Sequence, residues 1–254
     1  MAITAKQVNE LRKKTGAGMM DCKKALVEAD GDMEVAIDNL RKKGQKIAAK
    51  RGDREASEGL VIAKTTTDGT KGIVVTLNCE TDFVAKNADF VAFANKIADI
   101  AVSTGANSAE DLLTKDFDGA LTIGAKIIEQ TGVIGEKLEV KNIEVIEAPS
   151  VVAYNHPGNQ IATIVGLTKS AEDEGKQVAM QVAAMAPIAL DESKVSQETI
   201  DREIEVGKEL AIAEGKPEEM AEKIAKGRLN KFFKETTLLN QAFVRNNKKS
   251  VKQF

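Results

Sequence analysis

Side chains able to do covalent chemistry are scarce in this 254-residue sequence, and that scarcity is its first constraint. There is one histidine, His156, and there are two cysteines, Cys22 and Cys79. A Ser-His-Asp or Cys-His arrangement would have to use His156, and nothing in the sequence brings either cysteine to it. Two thiols and one imidazole in unrelated segments make a poor zinc ligand set. No G-x-x-x-x-G-K-[ST] run occurs, so no P-loop is expected. Gly16-Ala17-Gly18 begins like a dinucleotide fingerprint, but it follows a helical stretch and lacks the third glycine. Carboxylates are plentiful and leave acid–base chemistry open, yet no spacing singles out a pair. No catalytic residue, metal or cofactor is singled out, so the expectation that the protein is not an enzyme waits on the resemblance given below.

The segment with the most to offer is Asn78-Cys79-Glu80-Thr81-Asp82-Phe83-Val84-Ala85-Lys86-Asn87. It stands where a strand ends and a helix begins, a junction that lies on the surface, where binding residues collect. Phe83 has two readings. It is either a core anchor beside Phe90 and Phe93, or an exposed wedge with Asp82 as its polar neighbour. A phenyl ring entering a partner's pocket would contribute roughly 1.5–3 kcal/mol.

These residues need elements to position them. Residues 1–44 read as three short helices, with Thr4-Ala5-Lys6-Gln7 as a capping box and Gly44 as a closing C′ residue. The polar, basic stretch 45–58 reads as a linker that can be partly helical. Gly59–Lys64 and Gly72–Asn78 are β-rich runs around the hairpin signal Asp68-Gly69. A helix follows with Phe90, Phe93, Ala94 and Ile97 on its apolar side, then helix over 107–132 and strand over 136–148. A second hairpin spans 151–167, turning at Asn155-His156-Pro157-Gly158, and an alanine-rich helix comes after it. Strand, turn, strand and helix thus recur in the same order, a weak internal duplication. From Ser196 the chain is helical, and Gly215-Lys216-Pro217 folds it into a hairpin that reads as a projecting arm. The fold class expected is α+β. Its divisions are a core N-subdomain over 59–148, the first part of a core C-subdomain over 149–195, a helical hairpin over 196–235 and a C-terminal segment over 236–254.

The formal net charge of −3 hides an uneven distribution. Residues 1–54 carry 13 basic and 8 acidic side chains, and residues 226–254 carry 8 and 1, while the middle is strongly acidic. Basic ends suit an acidic partner or nucleic acid. Aromatics are few, eight Phe, one Tyr and no Trp, which is a weak endowment for stacking bases. The N-terminus lacks an apolar signal region and no stretch approaches a membrane span. A cytoplasmic protein with free thiols and no membrane partner is expected.

Several of these segments resemble the bacterial elongation factor Ts family. Thr15-Gly-Ala-Gly-Met-Met-Asp-Cys-Lys-Lys-Ala-Leu26, followed by Asp30-Gly31-Asp32, is similar to the family's N-terminal module, which is UBA-like. The 78–87 segment resembles its signature loop, and Tyr154–Gly158, Met180–Pro187, Gly215-Lys216-Pro217 and Leu238–Val244 match later landmarks. The resemblance spans nearly the whole chain. It implies a guanine nucleotide exchange factor for elongation factor Tu, binding its GDP-bound and nucleotide-free forms. Thr81, Asp82, Phe83 and Val84 then correspond to the loop that disturbs the partner's magnesium site. Arg12, Met19 and Met20 correspond to contacts of the N-terminal module. His156 and Phe243 correspond to further contacts. Pro157 departs from the family's His-Gly turn and leaves the pose of His156 open. A final segment shorter than in longer members implies a weaker C-terminal contact. Whether two copies associate as a homodimer through the helical hairpin stays open. The rival reading is an RNA- or ribosome-binding translation accessory protein, suggested by Arg41-Lys42-Lys43 with Lys46, Lys50 and Arg51.

Overall fold

The computed structural model describes residues 3–254. They form two compact units, one running to Ala171 and one spanning Glu172–Phe254. Both helix and sheet are present in quantity, so the class is α+β.

The first unit begins with α1 (Ala5–Thr15), α2 (Met19–Glu28) and α3 (Met33–Lys50). Thr4 and Gln7 form the expected capping box, and Asp32 caps α3 by accepting from the Val35 amide at 3.0 Å. Val8, Leu11, Cys22, Leu26 and Ala36 make a small core between the three helices. One expectation fails here. Gly44 does not end α3; the helix continues to Lys50, so half of the expected linker is helical. Gly44 is buried at the crossing with α7 (Ile123–Ile134). A Cβ on Gly132 of α7 would stand 2.3 Å from the Gly44 Cα. The glycine signal was real, but its cause is the close approach of two backbones rather than a left-handed turn.

After α3 come β1 (Glu58–Thr65), β2 (Lys71–Cys79) and, much later, β3 (Glu139–Glu147). They form one antiparallel sheet in the order β1-β2-β3. Between β2 and β3 lie α4 (Asp82–Ala85), α5 (Ala88–Thr104), α6 (Ala109–Thr114) and α7. Alternate β2 residues Ile73, Val75 and Leu77 are buried, as are Phe90, Ala94, Ile97 and Ala101 along one stripe of α5. The two periods, 2 and 3.6, meet in a single core. The helix expected over 107–132 is two helices. Asp116 accepts from the Gly119 amide, and Asp118 accepts from Ala120 and Leu121, giving the backbone a local alternative to helix.

The second hairpin, β4 (Ser150–Asn155) and β5 (Ala162–Leu167), also falls in this first unit rather than with the helix after it. Its packing gives the reason. The Asn155 side-chain amide bonds both the N–H and the C=O of Ala63, at 2.7 and 2.8 Å, and the Val61 N–H donates to the Asn159 carbonyl at 2.7 Å. Those bonds satisfy the open edge of β1.

The second unit holds α8 (Glu172–Met185), α9 (Gln197–Ala213), α10 (Glu218–Thr236) and a two-stranded ribbon, β6 (Ala242–Phe243) with β7 (Asn246–Ser250). α9 and α10 form the expected helical hairpin, and Arg228 grips both Glu214 oxygens at 2.7 and 2.8 Å. Two fully buried glutamines tie α8 to the C-terminal segment. Gln181 donates to Gln241 Oε1 and accepts from the Val244 amide, while Gln241 donates to the Met185 and Glu235 carbonyls. Among the described residues, no helix is long and apolar enough to cross a membrane.

The glycine crossing yields an asymmetric expectation. Gly132→Ala should lower stability by about 1–3 kcal/mol, because the new methyl meets backbone that must move. At Gly44 a Cβ has its nearest neighbour at 3.5 Å, ordinary contact. Gly44→Ala should therefore be neutral or stabilising by up to ~1 kcal/mol through helix propensity. Urea unfolding of both variants reads the difference.

Candidate partner-binding site

The 78–87 segment folds as a strand end, a two-residue turn and the single-turn helix α4. Thr81 is extended (φ −128°, ψ 153°), and its Oγ1 accepts from the Val84 amide at 3.4 Å as the N-cap. Successive helical residues lie about 100° apart around the axis. Ala85 is buried and Val84 packs on the core, so Phe83 is turned the other way. Its ring is 83% exposed. The core-anchor role belongs to Phe90, at 2% exposure, while Phe93 packs edge-on against Phe117 at 5.4 Å. Asp82 accepts from Lys86 Nζ at 2.6 Å. That bond, ahead of a small opposing desolvation, holds its carboxyl below the ordinary aspartate value.

The other expected residues are distributed around the chain. Arg12 is exposed at the last turn of α1, and Met19 and Met20 open α2 at 55% and 74% exposure. A glycine N-cap, Gly18, leaves these methionines at the helix start without a capping side chain over them. His156 is exposed in the β4–β5 turn, and its Nδ1 lies 2.9 Å from the Tyr154 hydroxyl. Pro157 is accommodated by a turn in which the Asn159 amide donates to the His156 carbonyl at 2.9 Å. Phe243 departs from its expectation. It is 3% exposed, packed with Leu238 and Val251 and stacked on Phe254 at 4.2 Å. A ring so covered has no face left for a partner; Val244 and Phe254 are the exposed apolar side chains beside it.

The thiols are structural. Cys22 donates to the Ala17 carbonyl at 3.5 Å and Cys79 to the Thr81 carbonyl at 3.2 Å. Burial first, and the Glu136 charge second, push the Cys79 thiol from 9.0 up to about 11. Among the described residues, no group of three His, Cys, Asp or Glu side chains could hold a metal ion. Sequence reasoning missed Glu136, which accepts from Thr81 Oγ1 at 2.6 Å across 55 residues of chain. The only hint was its place directly after Gly135, the left-handed residue that ends α7.

The site thus comprises an exposed aromatic ring on a capped turn and two exposed methionines on a separate helix. The comparisons with known proteins point to translation. A family model described as Elongation factor TS matches residues 80–254. An elongation factor Ts of Christiangramia forsetii is 55% identical over 99% of this chain and 92% of its own length. One from Flavobacterium psychrophilum is 54% identical over the same shares, and one from Porphyromonas gingivalis is 44% identical over 100% of this chain and 92% of its own. These place the chain among the translation elongation factors, in the branch concerned with nucleotide exchange. It belongs to the elongation factor Ts family.

The Cys79 environment gives a direct check. Only the thiolate is nucleophilic, so the native protein in neutral buffer should resist iodoacetamide at Cys79, while the urea-unfolded chain is labelled promptly. Since the folded value is raised, the fold favours the neutral thiol; that contribution is complete below pH 9.0 and is lost as pH rises toward about 11. Peptide mass spectrometry and unfolding midpoints across that window read both effects.

Proposed function

We propose that this chain accelerates the release of GDP from elongation factor Tu in the cytoplasm, by inserting the Asp82-Phe83 turn beside the partner's magnesium site. The observation that carries the reading is the 83% exposure of Phe83 on a turn whose other apolar residues serve the core. Magnesium requires near-ideal octahedral geometry and bridges nucleotide phosphates, so a small displacement of its ligands weakens the nucleotide sharply. By linkage, a protein that binds the nucleotide-free partner best must lower that partner's nucleotide affinity, and nucleotide must in turn eject it. No acid, base or cofactor of this chain is required. The UBA-like three-helix module docks through Arg12, Met19 and Met20, and His156 adds a polar contact from the β4–β5 turn.

Part of the basic surface that suggested RNA is already engaged. Lys43 pairs with Asp21, and Arg51 pairs with Glu80. These pairs leave fewer free cations in the stretch to track a phosphate backbone.

Stopped-flow release of a fluorescent GDP from Tu tests the proposal. The wild-type protein should accelerate release, and Phe83→Ala should cut the acceleration by about 10- to 100-fold, the loss of roughly 1.5–3 kcal/mol of transition-state contact. Its thermal midpoint should hold, since an exposed truncation changes stability by only about 0.5 kcal/mol. Full exchange activity in a folded Phe83→Ala protein would sink the wedge.

A further inference from the structure

The turn that presents Phe83 is too short to hold itself. α4 has four residues, and a single helical turn fixes more backbone freedom than its hydrogen bonds return. Its geometry must come from outside.

Two glutamates supply it. Glu136 Oε2 accepts from the amides of Glu80 and Thr81, at 3.1 and 3.0 Å, and Glu136 Oε1 accepts from the Thr81 hydroxyl at 2.6 Å. In the opposite direction, Glu80 Oε1 accepts from the Lys137 amide at 2.7 Å and from Arg51 Nη1 at 2.6 Å. Each glutamate therefore holds backbone beside the other. Thr81 is fixed at every polar atom. Its amide and hydroxyl donate to Glu136, its hydroxyl oxygen also accepts from Val84, and its carbonyl accepts from Cys79 Sγ and the Ala85 amide. The Glu80 side chain is only 14% exposed, so this arm of the clamp is sheltered from water. Hydrogen bonds to an ionised carboxylate are shorter and about twice as strong as neutral ones. The Lys137 amide first, and Arg51 after an opposing desolvation, hold the Glu80 carboxyl below its ordinary range, so this arm is charged at neutral pH.

We infer that Glu136 is a positioning residue for exchange, holding Thr81 so that the Phe83 ring meets the partner at a fixed angle. The inference rests on the exchange reading of that turn. Glu136 acts through Thr81, whose amide and hydroxyl it holds. Load placed on the ring during insertion passes through Thr81 into the junction of α7 and β3. Through Glu80 and Arg51 the same junction holds the C-terminal end of α3. Removing the clamp leaves the ring exposed but free to swing, so docking persists while productive insertion becomes rare. The loss belongs in the maximal rate and not in half-saturation.

Two variants separate this from a general stabilising role. Glu136→Ala should lower the maximal rate of GDP release from Tu about tenfold, with half-saturation within about twofold of wild type. The Glu80 and Thr81 amides should exchange hydrogen about tenfold faster. Glu136→Gln can still accept from both amides and can donate to the Thr81 hydroxyl, so it should keep amide protection and stay within about threefold of the wild-type rate. Should Glu136→Ala not fold, Glu136→Asp, whose carboxylate falls one methylene short of Thr81, makes the same comparison with Glu136→Gln. A folded Glu136→Ala protein with the wild-type maximal rate, or with only its half-saturation changed, overturns the inference. So does equal loss in the alanine and glutamine variants. If the wild-type protein itself fails to accelerate GDP release, the exchange reading falls instead, and the amide protection of Glu80 and Thr81 still reports on the clamp.

Discussion

A phenyl ring standing in water contributes nothing to the fold that carries it, so its position must be enforced by neighbours that do gain. That constraint organises the first unit of this protein. Val84 and Ala85 gain by burial against the sheet and α5, and the helical rotation between adjacent residues then sends Phe83 outward. Thr81 sets the entry angle of the turn. Glu136 fixes Thr81, and α7 and β3 place Glu136. Each step is inexpensive alone because the Thr81 amide, hydroxyl and carbonyl all have partners.

The same unit uses close backbone approach to hold its helical front end. Gly44 and Gly132 let α3 and α7 cross with no side chain between them. Because α7 ends at Gly135 directly before Glu136, one helix makes the crossing with the three-helix segment and places the residue that clamps the Phe83 turn. Arg51, just past α3, reaches the clamp from the other side. The Met19–Met20 surface and the Phe83 turn are thereby built on common supports within one unit.

Charge is handled locally in this chain. The basic N-terminal excess is partly offset by Arg51–Glu80, Lys43 pairs with Asp21 inside the same stretch, and the acidic middle offers Asp111 to Lys115 and Asp99 to Lys64. Exposed pairs of this kind contribute little stability, generally below about 1 kcal/mol. Their larger effect is on which surface charges stay available to an incoming partner.

Much of the architecture was legible because its signals are local. The capping box at Thr4, the alternation of β2, the Phe90–Ile97 stripe, the Asp68-Gly69 turn and the Gly215-Lys216-Pro217 corner each depend on residues a few positions apart. The 78–87 motif was legible as a segment of interest for the same reason. The sequence could not say whether Phe83 or its neighbours would face the core, since short apolar runs fit either. Gly44 read as a helix end because its true neighbour, Gly132, lies far along the chain. Phe243 read as a contact because its cover, Val251 and Phe254, is known only once the C-terminal segment folds back. Glu136 was one carboxylate among 39 acidic side chains until tertiary structure set it against Thr81. What the sequence determined by itself was therefore the family, most of the elements and the absence of a histidine-rich or P-loop chemistry. What only the tertiary structure decided was which side chains stay in water and what holds them there, because both depend on how the chain folds back on itself, from the Val251 and Phe254 cover of Phe243 to the 55 residues between Thr81 and Glu136.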